Sequence, residues 1–119
     1  MNPGDADVYA NLGGAYSKYG QHQRAIQDYT EDIRLKPDHA WAYGSRGYAY
    51  SQLGRHQRAI QDFNEYIRLK PDDAKGYDRR GATYMLTGNN REGCRSLITA
   101  CELGECKNYE LSKQKGNCQ

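Results

Sequence analysis

Apolar and small residues recur along this chain at helical spacing. Tyr43, Gly47 and Tyr50 stand at i, i+4 and i+7, and Ala59, Ile60, Phe63 and Ile67 carry the same period on a second segment. Between the two lies SQLGRH, whose Gly54 suits the left-handed residue that ends a helix. Pro71 then stops the second segment, and Asp72 or Asp73 is placed to cap a third. The pattern predicts helix, short turn, helix.

This unit is written more than once. Asp5–Asp38 and His39–Asp72 align without a gap at 21 identities in 34 positions, and Asp73–Cys106 keeps the phase with less of the content. Pro3, Pro37 and Pro71 are spaced 34 apart, as are Gly20, Gly54 and Gly88. A fixed period of this size marks a solenoid, in which each unit buries its apolar face only against its neighbours. Gly13, Gly47 and Gly81 fall inside the first helix of each unit, where Gly costs about 1 kcal/mol against Ala. Close approach of the paired helix is the expected reason.

Composition agrees with a thin, elongated molecule. Apolar residues are 37% and charged residues 27% of the 119, with a mean hydropathy of -1.05. That is too polar for one deep core. The 17 basic and 15 acidic residues are interleaved and leave a net charge of +2, so no basic stripe points to nucleic acid. No apolar run approaches the roughly 20 residues of a membrane span, and the N-terminus lacks the basic start and apolar stretch of a signal peptide. A cytoplasmic monomer is expected. Asn2-Pro3-Gly4-Asp5 is in phase with the close of a repeat that is not there. The chain reads as a piece excised from a longer array with Met1 added; alternatively Pro3 only starts the first helix.

Tyr9, Leu12, Gly13, Tyr16, Ala25, Tyr29 and Pro37, then Tyr43, Gly47, Tyr50, Ala59, Phe63 and Pro71, resemble the signature of the tetratricopeptide repeat family. Arg46 departs from the usual Leu, and the third unit keeps Tyr77, Gly81 and Tyr84 but has Gly93, Leu97 and Glu105 at later signature positions. The resemblance covers about residues 5–106. It implies an all-α, right-handed α-solenoid of three antiparallel helix pairs (5–38, 39–72 and a divergent 73–106), with 107–119 as a C-terminal capping helix and tail, in a single domain over 1–119.

The resemblance also implies a concave groove lined by the first helix of each pair. The groove positions read Asp7, Ala10, Asn11, Gly14, Ser17; Trp41, Gly44, Ser45, Tyr48, Ser51; and Lys75, Asp78, Arg79, Ala82, Met85. Asp7, Asn11, Trp41, Ser45, Tyr48, Lys75, Asp78 and Arg79 are the candidate peptide contacts. Small residues (Ala10, Gly14, Gly44, Ala82) leave room for a ligand backbone, Trp41 and Tyr48 offer hot-spot chemistry, and Lys75 with Arg79 can hold a carboxylate. Against this, Trp41 can be read as packing on the next repeat, and Lys75 and Arg79 as a solvated face paired with Asp72 and Asp78. Some members of the family bind the C-terminal carboxylate of heat-shock chaperones through a five-residue clamp. Lys75 and Arg79 match two of its positions, whereas Ala10, Gly14 and Ser45 depart from the other three.

The expected function is a protein–protein interaction scaffold with an extended peptide in the groove, no catalysis, no cofactor and no metal. The alternatives are a structural spacer within a longer array, or a metal or redox protein using the C-terminal cysteines. His22 and His56 belong to the repeated block and read as scaffold, and His39 lies in a loop. Cys94 and Cys101, at i and i+7, would stand about 10 Å apart, too far for a bridge. Buried free thiols are expected at Cys94, Cys101, Cys106 and Cys118, with a Cys106–Cys118 bridge as the alternative. The C-x6-C-x4-C-x11-C spacing suits zinc poorly. Finally, Leu12, Arg46 and Arg80 occupy one repeat position, and Asp28, Asp62 and Ser96 another. Pairing each Asp with the Arg of the following repeat leaves no charge over, which predicts Asp28–Arg46 and Asp62–Arg80 ion pairs between units.

Overall fold

The computed structural model describes residues 4–118 and, among them, contains helices and no strand. The order is α1 (Gly4–Lys18), α2 (His22–Leu35), α3 (Ala40–Gln52), α4 (His56–Leu69), α5 (Ala74–Leu86), α6 (Asn90–Glu102) and α7 (Lys107–Gln114). α1 packs on α2, α3 on α4 and α5 on α6; α3 then seats against α2 and α5 against α4. The result is an elongated stack of 49 × 26 × 20 Å. The start assigned to Pro3, and the repeat phase of Asn2-Pro3, lie outside the described residues.

Local chemistry sets the element ends. Gly20, Gly54 and Gly88 close the first helix of each pair with φ of 76°, 75° and 80°, the left-handed region an L side chain rarely adopts. Asp73 caps α5, accepting from the Lys75 backbone N–H at 3.0 Å.

Within each pair the core is a knob on a bare patch of helix. Tyr29, Phe63 and Leu97 are buried, 34 residues apart, and each lies against the mid-helix glycine of its partner. A methyl group on Gly13 would stand 2.6 Å from Tyr29 Cε1, on Gly47 2.7 Å from Phe63 Cε1, and on Gly81 2.7 Å from Leu97 Cδ2. Close approach is what the glycines permit. Between pairs, Ile26 of α2 joins Ala49, Tyr50, Ala59 and Phe63 in one apolar cluster.

The charge pairing differs from the expectation. Arg46 bonds the Asp of its own repeat, Nε to Asp62 Oδ2 at 2.9 Å and Nη2 to Oδ1 at 2.8 Å. Its third contact crosses to the preceding repeat but meets a hydroxyl, Thr30 Oγ1, at 3.2 Å. Arg80 does the same with neutral partners: Nε to Ser96 Oγ at 3.0 Å and Nη1 to Asn64 Oδ1 at 2.9 Å. The Asp28–Arg46 and Asp62–Arg80 pairs do not form. The reason is geometric. One antiparallel hairpin sets these two positions face to face, and the next repeat reaches back only as far as Thr30 or Asn64. In the first hairpin Leu12 stands at the arginine's position, so Asp28 has no equivalent of Arg46. Its Oδ2 is shut off from solvent with no hydrogen-bond partner among the described residues, and burial pushes its carboxyl above the ordinary value against the pull of Arg24. Burial also pushes Asp62 upward, although Arg46 donates to both its oxygens.

The cysteines are another correction. All four are bridged, Cys94 to Cys118 and Cys101 to Cys106, so neither buried thiols nor a Cys106–Cys118 bond is present. Cys101 and Cys106 flank the tight turn at Gly104, which brings their Cα atoms to 4.0 Å. After α7 the chain turns at Gly116 and lays Cys118 beside α6, 5.6 Å from Cys94 between Cα atoms. Cys94 and Cys101 are not joined, as their helical spacing requires.

Candidate functional site

A recess of about 580 Å³ opens between the first helices of the three pairs. α1 contributes Gly14, Ser17 and Lys18; α3 contributes Trp41, Gly44, Ser45 and Tyr48; α5 contributes Lys75, Gly76 and Arg79. Its floor comes from the second helices, through Tyr29, Phe63 and Tyr66. Regular stacking puts every first helix on this one side, so a single period in the sequence becomes a continuous wall.

Trp41 stands edge-on to Tyr29, with ring centroids 5.5 Å apart at 82°, and lies 5.9 Å from the His39 ring. It remains 48% exposed, so half of the indole packs and half faces the recess. Tyr48 is 41% exposed, and the Arg79 guanidinium sits 5.7 Å from its ring centroid, a cation–π contact. Among the described residues neither Lys75 nor Arg79 forms a salt bridge. The lining thus holds three cations, Lys18, Lys75 and Arg79, and no carboxylate.

Five sequence candidates, Trp41, Ser45, Tyr48, Lys75 and Arg79, come together in this recess. Asp7 and Asn11 are exposed on α1 away from its lining. Asp78 also stays outside it: both its oxygens accept from Asn108 Nδ2 of α7, at 3.1 and 3.0 Å. Lys18, Tyr66 and Gly76 belong to the lining but were not among the candidates. Lys18 follows a groove serine by one residue and carried no separate signal. Tyr66 reads in sequence as one more apolar position on a second helix.

Tyr66 also changes the meaning of two glycines. A methyl on Gly44 would meet Tyr66 Cδ2 at 3.0 Å, and one on Gly76 would meet Tyr66 Cδ1 at 2.9 Å. The space at Gly44 is taken by this ring, not left free for a ligand backbone. Tyr66 Oη donates to Asp73 Oδ2 at 2.5 Å. Burial, with Asp73 adding to it, pushes the phenol up to about 12, while the same bond and the Lys75 N–H hold Asp73 below the ordinary carboxylate range. One repeat earlier the equivalent pair is Asp32 and His39, whose Nδ1 lies 2.9 Å from both carboxylate oxygens. Each pair latches the loop that leads into the next groove helix.

The model of the tetratricopeptide repeat matches residues 12–87. The chain is a tetratricopeptide repeat protein. Among solved structures it is similar to the Arabidopsis OM64 TPR domain, with a TM-score of 0.90 at 27% identity, covering 98% of this chain and 99% of that one. It is similar also to the first TPR of Spaghetti (RPAP3) bound to HSP90 peptide SRMEEVD, at TM-score 0.88 and 26% identity over 97% and 95% of the two chains. A third is the second TPR domain of human RPAP3 in complex with HSP70 peptide SGPTIEEVD, at 0.87 and 27% over 96% and 98%. No curated protein matches the chain. Among the described residues no helix is long and apolar enough to cross a membrane, and no three His, Cys, Asp or Glu side chains gather as a metal site.

Proposed function

We propose that this tetratricopeptide repeat protein is a monomeric binding scaffold that takes an extended, acidic segment of a partner protein in its concave groove and performs no chemistry on it. One observation carries the reading: the recess between α1, α3 and α5 combines exposed Trp41 and Tyr48 with Lys18, Lys75 and Arg79 and no carboxylate. Exposed aromatics at the centre of a concave surface are the usual anchors of an interface. Uncompensated cations beside them select for negative charge and speed its encounter. In this reading Trp41, Tyr48, Lys75 and Arg79 make the main contacts and Ser45 a polar one, with Asp7 and Asn11 at the α1 rim. Asp78 acts as a support, since Asn108 already occupies it.

The peptides in the related structures, SRMEEVD and SGPTIEEVD, are themselves acidic toward their ends. Ala10, Gly14 and Ser45 stand where the chaperone clamp would need basic or amide groups, so general acidity rather than a chaperone terminus is the property selected here. The two disulfides favour an oxidising compartment over the cytoplasm expected from composition. The test is anisotropy of a fluorescein-labelled peptide of alternating Glu and Leu, with its Lys–Leu counterpart as control. The acidic peptide should bind, weaken as salt rises, and lose about 2 kcal/mol with Trp41→Ala at unchanged helicity. Equal binding of both peptides would refute the charge selection. A loss of thermal stability of that size with Trp41→Ala would place the indole in the core.

A further inference from the structure

The last helix is held more firmly than a cover needs to be. No residue of α7 is buried, and Leu111 is left 41% exposed. Yet both disulfides close on its ends, Cys106 at its N-cap to Cys101, and Cys118 just beyond it to Cys94. Eight residues do not stay helical alone. Anchors at both ends fix where this helix stands without giving it a core of its own.

It stands in register with the groove helices. α3 begins at Ala40 and α5 at Ala74, and the next step of the repeat falls on Asn108, in the first turn of α7. Asn108 reaches across to Asp78 of α5, so the two helices are tied side by side. The recess-lining positions Trp41 and Lys75 map by that period onto Tyr109, and Ser45 and Arg79 onto Lys113. Lys113 Nζ lies 5.5 Å from the Tyr109 ring centroid, a cation–π contact one turn apart on α7 itself. Lys75, Arg79 and Lys113 thus stand at successive groove positions of α5 and α7, with the Asp78 carboxylate held by Asn108.

We propose that α7 is a fourth wall of the groove, with Tyr109 and Lys113 binding the part of an acidic peptide that extends past Lys75 and Arg79. This rests on the acidic-peptide reading above and lengthens its site. Neighbouring helices pack about 10 Å apart, so one further wall accommodates about three more extended residues.

The oxidised full chain is titrated with the labelled Glu–Leu peptide and with versions lengthened by about three residues at either end. One lengthened peptide should bind about fivefold tighter than the short one, the effect of one added surface ion pair. Lys113→Glu should abolish that gain and Tyr109→Ala should reduce it, both leaving the short peptide's affinity unchanged. Lys113 is exposed, so its variant folds and decides the matter even if Tyr109→Ala disturbs the helix. No gain on lengthening, or a gain that survives Lys113→Glu, would leave α7 a cover only and overturn the proposal. Failure of the intact protein to bind the short peptide would overturn the groove reading itself, and this extension with it.

Discussion

Arg46→Leu makes the second repeat resemble the first, where Leu12 stands at the same position, and its cost is readable from the structure. The Arg46 and Asp62 side chains are 18% and 6% exposed and share two hydrogen bonds of 2.8 and 2.9 Å. Removing the guanidinium strands a largely buried carboxylate, which costs about 3 kcal/mol. Against a total stability of about 5–15 kcal/mol this is a large fraction. At about 4 °C per kcal/mol for a chain of this size, Tm should fall by about 12 °C. Adding Asp62→Leu should restore most of the loss, because an apolar pair of similar volume is close to neutral where a half-pair is not. Asp28→Leu removes a stranded carboxylate of its own, so whatever it adds should be the same with Arg46 present or replaced, with no coupling between the two. Urea melts followed by far-UV circular dichroism of the single and double variants give the free energies. A cost below about 1 kcal/mol for Arg46→Leu, or coupling of Arg46 to Asp28 rather than to Asp62, would refute the within-repeat pairing.

Leu12→Arg is the complementary change: it offers Asp28 the partner that Asp62 has, and should raise stability by about 1 kcal/mol in the same melts. Tyr66 should ionise near 12 in an alkaline absorbance titration, a step that Tyr66→Phe removes. Its folded value lies above the unfolded one of 10.0, so the Tyr66–Asp73 latch contributes fully below about pH 10 and is lost as pH rises through 12. Asp73, held low, contributes above the ordinary carboxylate range and is lost as pH falls through its folded value. Cys94→Ser with Cys118→Ser opens a bridge 24 residues apart in sequence and should cost about 3 kcal/mol, read as early proteolysis after α6 with the first two repeats still protected.

The architecture was legible because it is written repeatedly. The 34-residue phase, the turn glycines and the bare helix patches at Gly13, Gly47 and Gly81 follow from local rules that the stack merely repeats. The charge pairs were not legible, since the repeat period alone does not say whether Arg46 and Arg80 reach their own hairpin or the preceding one. The inter-repeat choice assumed that no carboxylate would be left over, and Asp28 is left over, with one oxygen shut away from both water and donor. The disulfides escaped for a similar reason: spacing along a helix excludes Cys94–Cys101 but is silent on how a tail turns back. Only the turns at Gly104 and Gly116 decide that Cys101 meets Cys106 and Cys118 meets Cys94. At the groove, the family resemblance puts Trp41, Ser45, Tyr48, Lys75 and Arg79 on the concave side, and they line the recess. Tyr66 was not, because its role depends on two glycines from different helices making room for one ring.

Trp41 is the only tryptophan in the chain, and it sits in the recess wall with half its surface open. Its fluorescence is therefore a reporter built into the proposed site. Titration with an unlabelled acidic Glu–Leu peptide should shift the emission to the blue as the indole loses water, with a midpoint that matches anisotropy and rises with salt. An unchanged Trp41 emission at peptide concentrations that saturate the anisotropy signal would place binding elsewhere on the molecule and contradict the account.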